Sequence, residues 1–494
     1  MHNIAILPIS RILLPSVVVV GFTALALLLL RRPLKDGGRA GFVVSIFWVL
    51  FFSYGHVYPP VVGWVGGGFR HRYLLLVWAL LFLGATHVGL RIRDVGRWTR
   101  VLNAVALALM AIALVRVGGY ELRARRIQRS LSRETPEHAR SHVAPQGRDD
   151  RPDIYYIVPD RYASASTLKE QFGVDNGPFL DALADRGFYV ADESCANYPK
   201  TFLSLASSLN MRHLTYLAHE LGREASDQTH VYEMLQDHGV WRFLRAQGYS
   251  FVHVGSGWEP TRYNRYADEN VAMYPAEFPM MLYRTTVLFP LGARLGIFDP
   301  REMRRRAILR KFDALAEIPE KEGPKFVFAH FLLPHDPYVF GPRGEILTQQ
   351  QVEARTEMEN YARQLTFTNQ KLSWLIDQIL EESERPPIII LQSDEGPCQS
   401  LEEFGGSCGD AIDWRQLSDG ALRAHMRILN AYHLPGVDAD EILYPSITPV
   451  NTFRVILDHY FGTDHGLVED KSYIFENPSR PYTFIEITDR VQYD

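Results

Sequence analysis

The feature that most constrains the fold of this 494-residue chain is a series of apolar, charge-free segments in its first quarter. Nineteen residues from Ile12 to Leu30, thirty from Ala40 to Phe69 and eighteen from Tyr73 to Leu90 contain no Asp, Glu, Lys or Arg. About 20 apolar residues span the hydrocarbon core of a bilayer. A shorter segment, Val101 to Val115, precedes Arg116. We therefore predict about four transmembrane helices, of which the fourth is the shortest.

The charge of the chain is divided in the same way as its hydrophobicity. Residues 1–120 contain 12 Lys and Arg against 2 Asp and Glu, whereas the remainder contains 40 against 55. A basic apolar part followed by an acidic part of ordinary composition indicates two parts in different solvents. The acidic part has no basic stripe, so we expect no nucleic-acid partner. The sequence does not indicate an oligomeric state.

The basic residues between the apolar segments indicate an orientation. The first and third loops carry four each, and the second carries two; they are Arg31, Arg32, Lys35 and Arg39, then Arg91, Arg93, Arg97 and Arg100, against Arg70 and Arg72. The positive-inside rule places the first and third loops in the cytoplasm. With four spans the large C-terminal part is exported, and with three it would be cytoplasmic.

Three parts of the chain follow from this pattern: a transmembrane domain over 1–120, a juxtamembrane linker over 121–150 and an α/β domain over 151–494. The linker has too few large apolar side chains to form a core. The apolar segment from Pro279 to Phe298 contains two prolines and two arginines and is too interrupted to span a bilayer. Two placements remain open for it: a lipid-facing substrate cleft, or a helix pair packed on the sheet.

From Asp153 onward, short apolar runs alternate with longer helical patterns. They lie at 154–158, 179–187, 243–255, 325–331, 372–380, 387–392, 426–432 and 452–462. This alternation predicts a mostly parallel sheet flanked by helices. Ligands of such sheets bind at the carboxyl ends of the strands, so the polar residues after each run are the candidates for a site.

Four such places carry chemically suitable residues. Asp160 ends IYYIVPD, His335 follows KFVFAHFLLP, Asp394 and Glu395 follow PIIILQS, and Thr201 lies where a helix begins in NYPKTFLSLASSLN. Acids at the ends of strands can hold a divalent cation. A hydroxyl beside that cation at a helix N-terminus can act as a nucleophile. Taken singly, each residue is equally well explained by turn or capping chemistry.

At these residues the sequence resembles the alkaline phosphatase and sulfatase superfamily. Within it, the chain is similar to the membrane-anchored branch that includes lipoteichoic acid synthase and phosphoethanolamine transferases. The resemblance covers about residues 152–465. It implies a sulfatase-like α/β fold, a metal held by Asp160, Thr201 and the acidic pair after the late strand, a nucleophilic Thr201, and a substrate-contacting His335 in PHDPY.

One position departs from the pattern of that family. The usual Asp-His-Gly reads Asp394-Glu395-Gly396 here. Glu395 either replaces the imidazole as a ligand, which favours Mn, Mg or Ca over Zn, or marks a site that has lost its activity. We favour the first interpretation because Asp160, Thr201 and His335 all stand where the chemistry needs them.

The resemblance implies a membrane-anchored, metal-dependent hydrolase or phospho-group transferase. Its expected substrates are phosphate esters, less readily sulfate esters, of a membrane lipid or an envelope polymer at the cell membrane. The Cys/Ser-x-Pro-x-Arg motif of formylglycine sulfatases is absent at NYPKT. His330 is either a second substrate-binding residue or a core histidine of its strand. The alternative function is a catalytically degenerate envelope protein that binds a polymer or lipid headgroup.

The three cysteines allow two further expectations. Cys195 has no flanking cation, so we expect a buried neutral thiol. Cys398 and Cys408 flank a loop after the acidic motif and could form a disulfide in an exported domain.

Overall fold

The computed structural model describes residues 9–66, 69–91, 100, 103–108, 110–119, 122, 151–271, 273, 277–295, 299–398 and 412–493. The chain divides into two compact units. The first comprises residues 1–127 and 275–300, and the second comprises residues 128–274 and 301–494.

The first unit contains three helices that are long and apolar enough to cross a membrane. They are Ile9–Leu34, Gly37–Val65 and His71–Arg91. Asp36 caps the second of these helices by accepting hydrogen bonds from the backbone of Gly38 and Arg39. A shorter apolar helix, Asn103–Gly119, follows. The three strongest predicted spans are thus found as helices, and the fourth is short for a span.

The interrupted segment after residue 275 belongs to the first unit. It forms the helices Glu277–Thr285 and Leu288–Leu295. The backbone N–H of Val287 donates to the carbonyl of Phe51 at 3.1 Å. A Cβ on Gly55 would lie 2.2 Å from the carbonyl oxygen of Arg284, so only glycine permits this approach. The helix pair therefore packs on the membrane helices of the first unit.

The second unit is built on a seven-stranded sheet. Its strands are β1 Ile154–Pro159, β2 Phe188–Val190, β3 Ser250–Val254, β4 Glu269–Val271, β5 Lys325–Phe331, β6 Ile388–Gln392 and β7 Asn430–His433. Their order is β2-β7-β6-β1-β5-β3-β4. Strands β6, β1, β5, β3 and β4 run parallel, and β7 is antiparallel to both of its neighbours. A separate hairpin pairs β8 Tyr473–Ile474 with β9 Ile485–Glu486.

Helices cover both faces of this sheet. The longer ones are Ala165–Phe172, Gly177–Ala184, Thr201–Asn210, Thr229–Gln236, Gly239–Ala246, Pro300–Ala316, Glu357–Glu382, Asp419–Met426 and Pro449–Phe461. The short ones are Leu217–Glu220, Glu259–Arg262, Gln349–Glu353, Ala439–Ile442 and Thr488–Val491, with a 3-10 turn at Trp414–Gln416.

Strand β1 shows why this sheet is buried on both sides. Tyr156 and Val158 face one hydrophobic core, whereas Tyr155 and Ile157 face another. All six residues of β1 are buried. A strand between two helical layers needs apolar side chains on both faces, which explains the continuous apolar run IYYIV. The predicted α/β fold with a mostly parallel sheet is confirmed.

Candidate active site

Three adjacent parallel strands bring the candidate residues together. β1 lies between β5 and β6, so their carboxyl ends meet at one edge of the sheet. Asp160 follows β1 directly, and its backbone N–H donates to the carbonyl of Phe331 at 2.8 Å. His330 is the last residue but one of β5, opposite Val158. Asp394 follows β6 by two residues.

Asp160, His330 and Asp394 form a buried cluster. Each offers one side-chain ligand atom, and the three atoms lie within 4.8 Å of one another. His330 Nε2 is 3.4 Å from Asp160 Oδ2. Among the described residues, Asp160 Oδ1, both carboxylate oxygens of Asp394 and His330 Nε2 have no hydrogen-bond partner of ordinary geometry. Buried polar atoms are rarely left unpaired, so these atoms fit a site for a divalent cation.

The electrostatics of the cluster support the same interpretation. Burial and, to a smaller extent, the nearby Glu395 raise the pKa of Asp160 to about 8. Burial and Asp160 also raise the pKa of Asp394 well above its usual range. Burial lowers the pKa of His330 to about 4, so its imidazole is neutral at neutral pH. The cluster thus contains two buried carboxyl groups and a neutral imidazole, and none of the three carries a positive charge. A divalent cation would supply that charge.

Glu395 is hydrogen-bonded to Arg161, a residue that the sequence did not single out. Arg161 Nε donates to Glu395 Oε1 at 3.2 Å, and Arg161 Nη1 donates to Asp336 Oδ1 at 2.9 Å. The Glu395 side chain is 2% exposed and that of Arg161 is 12% exposed. Arg161 has a φ of 63°, in the left-handed region that side chains other than glycine rarely adopt. The hydroxyl of Tyr361 donates to the Arg161 carbonyl at 2.8 Å and holds this backbone in place.

Thr201 is the first residue of the helix Thr201–Asn210, as the sequence predicts. Lys200 precedes it in an extended conformation. The Thr201 hydroxyl is close enough to the Asp394 carboxylate to lower its pKa by hydrogen bonding, against the larger effect of burial. One turn later, Ser204 Oγ donates to the backbone carbonyl of Asp394 at 2.7 Å. A hydrogen bond therefore links the first turn of this helix to the segment that follows β6.

His335 lies in the loop after β5 and is partly exposed, at 23% of its side chain. Gln364 Nε2 donates to the carbonyls of Pro334 and His335 at 3.1 and 2.9 Å, which fixes the loop on the helix Glu357–Glu382. His335 Nδ1 contacts the carbonyl of Asp336, which leaves Nε2 for a ligand. Burial lowers the pKa of His335 well below its usual range, and Arg161 lowers it further. A neutral His335 that donates from Nδ1 to the Asp336 carbonyl presents the lone pair of Nε2, which can accept a hydrogen bond from a substrate.

A second group of possible ligands lies next to the first. Glu395, Cys398 and His425 also bring ligand atoms within 4.8 Å of one another. Cys398 is disulfide-bonded, so its sulfur is not a thiolate ligand. Its expected partner, Cys408, lies outside the described residues. Cys195 is free and buried, and burial raises its pKa to about 12, in agreement with the expected neutral thiol.

Sequence reasoning missed three residues that shape this site. Arg161 directly follows Asp160, and a cation next to an acidic candidate ligand is a signal that could have been used. Thr261, which contacts His330, and Gln364, which holds the loop of His335, lie in segments without any local signal.

The comparisons with known proteins agree with this architecture. A family model described as Sulfatase matches residues 166–429, which is more than half of the chain. No curated protein was found that is similar in sequence to this chain.

Several solved structures are similar over much of the chain. The C-terminal periplasmic domain of EcEptC from Escherichia coli is 13% identical, with a TM-score of 0.45, over 68% of this chain and 93% of that domain. The membrane-integral lipooligosaccharide phosphoethanolamine transferase A from Neisseria meningitidis is 12% identical, with a TM-score of 0.43, over 79% of this chain and 70% of that one. The periplasmic domain of the phosphoethanolamine transferase EptC from Campylobacter jejuni is 11% identical, with a TM-score of 0.39, over 63% and 89%.

The extent of the family match confirms the superfamily expected from the motifs and the expectation of an enzyme. The chain belongs to the sulfatase family.

Proposed function

We propose that this protein is a membrane-anchored, metal-dependent phospho-group transferase or phosphohydrolase that uses Thr201 as its nucleophile. The observation that carries the proposal is the placement of Thr201. It begins a helix beside Asp394, and Ser204 of the same helix donates a hydrogen bond to the backbone carbonyl of Asp394. A helix N-terminus favours the negative charge that develops on an attacking oxygen.

The residues around Thr201 are suited to distinct parts of this reaction. Asp160 and Asp394 would hold the cation, and Thr201, which lies beside the Asp394 carboxylate, would be next to it. When bound, a divalent cation supplies Lewis-acid polarisation and lowers the pKa of a neighbouring hydroxyl. His335 Nε2 would accept a hydrogen bond from a hydroxyl of the substrate, because Nδ1 carries the ring proton and donates it to the carbonyl of Asp336. The sequence predicts that Glu395 is a metal ligand. This stays a prediction, because Glu395 Oε1 accepts a hydrogen bond from Arg161.

The proposed chemistry proceeds in two displacements. Thr201 Oγ forms a bond to phosphorus while the bond from phosphorus to the leaving oxygen breaks. The hydroxyl proton is released, and the leaving oxygen takes up one proton. Water or a second hydroxyl then attacks phosphorus, and Thr201 Oγ regains a proton as its bond to phosphorus breaks. Hydrolysis and transfer differ only in this second acceptor.

The membrane helices of the first unit support a substrate at a membrane. We propose a lipid or an envelope polymer as the substrate, with the α/β unit on the extracytoplasmic side. The resemblance to phosphoethanolamine transferases stated above favours a phosphate ester over a sulfate ester.

The test compares variants of the full chain in detergent. Turnover of phosphomonoester, phosphodiester and sulfate ester substrates is measured with added Mn²⁺, Mg²⁺, Ca²⁺ or Zn²⁺. We expect Thr201→Val to abolish metal-dependent turnover and Thr201→Ser to retain part of it. Thr366→Val is the matched control, because Thr366 is an exposed helical threonine whose hydroxyl bonds only within its own helix in the described structure. Full turnover in folded Thr201→Val would contradict the proposal.

A further inference from the structure

We infer that His330 is the third protein ligand of the cation held by Asp160 and Asp394, and that Arg161 keeps Glu395 out of that role. The inference rests on the proposed function, because it concerns the metal site of the same centre. It differs from the ligand set expected from the sequence, which contained Glu395 and placed His330 among the substrate contacts.

His330 Nε2 lies next to the two acids in a buried position, without a hydrogen-bond partner of its own among the described residues. The side chain is fully buried. Nε2 lies 3.4 Å from Asp160 Oδ2, and one ring nitrogen of His330 lies within 4.8 Å of an oxygen of Asp394. Leaving a buried ring nitrogen unpaired costs about 1–3 kcal/mol. A cation between the two carboxylates and the ring would satisfy all three groups at once.

A chain of two hydroxyl groups holds the other nitrogen of the His330 ring. His330 Nδ1 is 2.8 Å from Thr261 Oγ1, and Thr261 Oγ1 is 2.8 Å from Ser256 Oγ. Ser256 Oγ donates in turn to the carbonyl of Trp258 at 3.5 Å. The Trp258 carbonyl can only accept, so Ser256 donates to it. Thr261 then donates to Ser256, and His330 Nδ1–H donates to Thr261. This leaves the lone pair of Nε2 directed at the acids, which is how ligating histidines are usually oriented.

The Glu395 carboxylate already forms an ion pair with Arg161. Its Oε1 accepts from Arg161 Nε at 3.2 Å, and both side chains are largely buried. Pulling a buried carboxylate from its arginine leaves a guanidinium partly uncompensated, which is costly. Asp336 holds the other side of the same guanidinium, at 2.9 Å. Glu395 therefore compensates the charge of Arg161 through Oε1. Its Oε2 is buried without a hydrogen-bond partner among the described residues, but the ligand atoms that lie within 4.8 Å of one another around Asp160 and Asp394 include one from His330 and none from Glu395.

The ligand set changes the expected metal. Two carboxylates alone suit hard ions such as Mg²⁺ and Ca²⁺. Adding an imidazole favours metals that accept nitrogen ligands, such as Zn²⁺. We therefore expect Zn²⁺ to bind more tightly than Mn²⁺, Mg²⁺ or Ca²⁺, which would revise the preference expected from Glu395.

The experiment measures metal binding by the full chain in detergent, after removal of bound metal with EDTA. Mn²⁺ and Zn²⁺ affinities are measured by isothermal titration calorimetry for the wild type, His330→Asn and Glu395→Gln. Asparagine keeps an amide near the Nδ1 position for Thr261 but has no atom at the Nε2 position. We expect His330→Asn to lose more than the roughly 100-fold that removal of an outer-shell partner costs. Glu395→Gln should lose no more than the roughly 10–100-fold that an outer-shell change costs.

Two controls separate ligation from folding. His238→Asn replaces another fully buried histidine, one that caps a helix by accepting from Trp241 N–H. It should leave metal affinity unchanged. Electron spin echo measurements on Mn²⁺ in the wild-type protein should show a coupled nitrogen, and this readout needs no variant to fold.

Several outcomes would overturn the inference. They are wild-type affinity in His330→Asn, an equal loss in Glu395→Gln, an absence of nitrogen coupling, or no metal binding by the wild type. None of these measurements depends on turnover. Metal binding through His330 without hydrolysis or transfer of any ester would therefore contradict the proposed function alone.

Discussion

Arg161 Nε lies 3.2 Å from Glu395 Oε1, and this contact joins the second residue after β1 to the second residue of the acidic motif after β6. The Glu395 side chain is 2% exposed, so its charge depends on this arginine for compensation. The same guanidinium reaches Asp336, whose side chain is 45% exposed. One arginine thus links three loops at the carboxyl edge of the sheet.

The first prediction concerns this ion pair. Arg161→Met should lower the free energy of unfolding by about 3–5 kcal/mol, because it leaves the Glu395 charge buried and unpaired. Asp336→Asn is the control and should cost no more than about 1 kcal/mol, because an exposed partner contributes little. Denaturant titration in detergent measures both. The double variant Arg161→Met/Glu395→Gln should recover part of the loss, and equal losses in the single and double variants would refute the buried-pair explanation.

The second prediction concerns Ser204, which we regard as a positioning residue for Thr201. Ser204→Ala removes the donor to the Asp394 carbonyl, so it should lower stability by about 1–3 kcal/mol and lower kcat more than it raises KM. Ser207→Ala is the matched control. Ser207 is on the same helix, is equally buried, and donates to the carbonyl of Arg212 at 2.8 Å. It should lose similar stability and keep its kcat; if both variants lost kcat equally, positioning by Ser204 would be excluded.

The third prediction concerns pH and the metal-free protein. The folded-state pKa of Asp160 is about 8, whereas an unfolded Asp titrates near about 3.9. Between these values the folded protein holds a proton that the unfolded chain has released, so raising the pH lowers the free energy of unfolding. We expect the Tm of EDTA-treated protein to fall from about pH 4 to about pH 8 because of this linkage. Mn²⁺ should reduce the fall, because it binds the deprotonated acid.

Asp160→Asn isolates that contribution from other titrating groups. Its metal-free Tm should depend less on pH across the same window, and Mn²⁺ should no longer raise it. Identical pH slopes in the variant and the wild type would show that Asp160 is not the group responsible.

The fourth prediction concerns the glycine of the acidic motif. A Cβ on Gly396 would lie 2.6 Å from the carbonyl oxygen of His425 and 2.7 Å from that of Ala424. Gly396→Ala should therefore cost about 1–3 kcal/mol by overpacking and displace Glu395. Gly420→Ala is the control, because nothing lies within 4 Å of its Cβ position and a helical alanine is favoured by up to about 1 kcal/mol. A thermal melt that ranks the two variants in the reverse order would contradict the close approach at Gly396.

Much of the fold was readable from the sequence because it depends on local patterns of hydrophobicity. Charge-free segments of at least eighteen residues predicted the three membrane-length helices. Continuous apolar runs predicted strands β1, β3, β5 and β6, which are buried between two helical layers. The same logic failed for the short edge strands β2 and β4, whose three residues give too little pattern to detect.

The sequence by itself also determined which residues stand at the ends of the strands, since Asp160, His335 and Asp394 each follow an apolar run. Only the tertiary structure decided their neighbours. The strand order places β1 between β5 and β6, and this turns His330 toward Asp160 and Arg161 toward Glu395. These pairs are 170 and 234 residues apart along the chain. Contacts at such separations arise from strand order and packing, which no local pattern encodes.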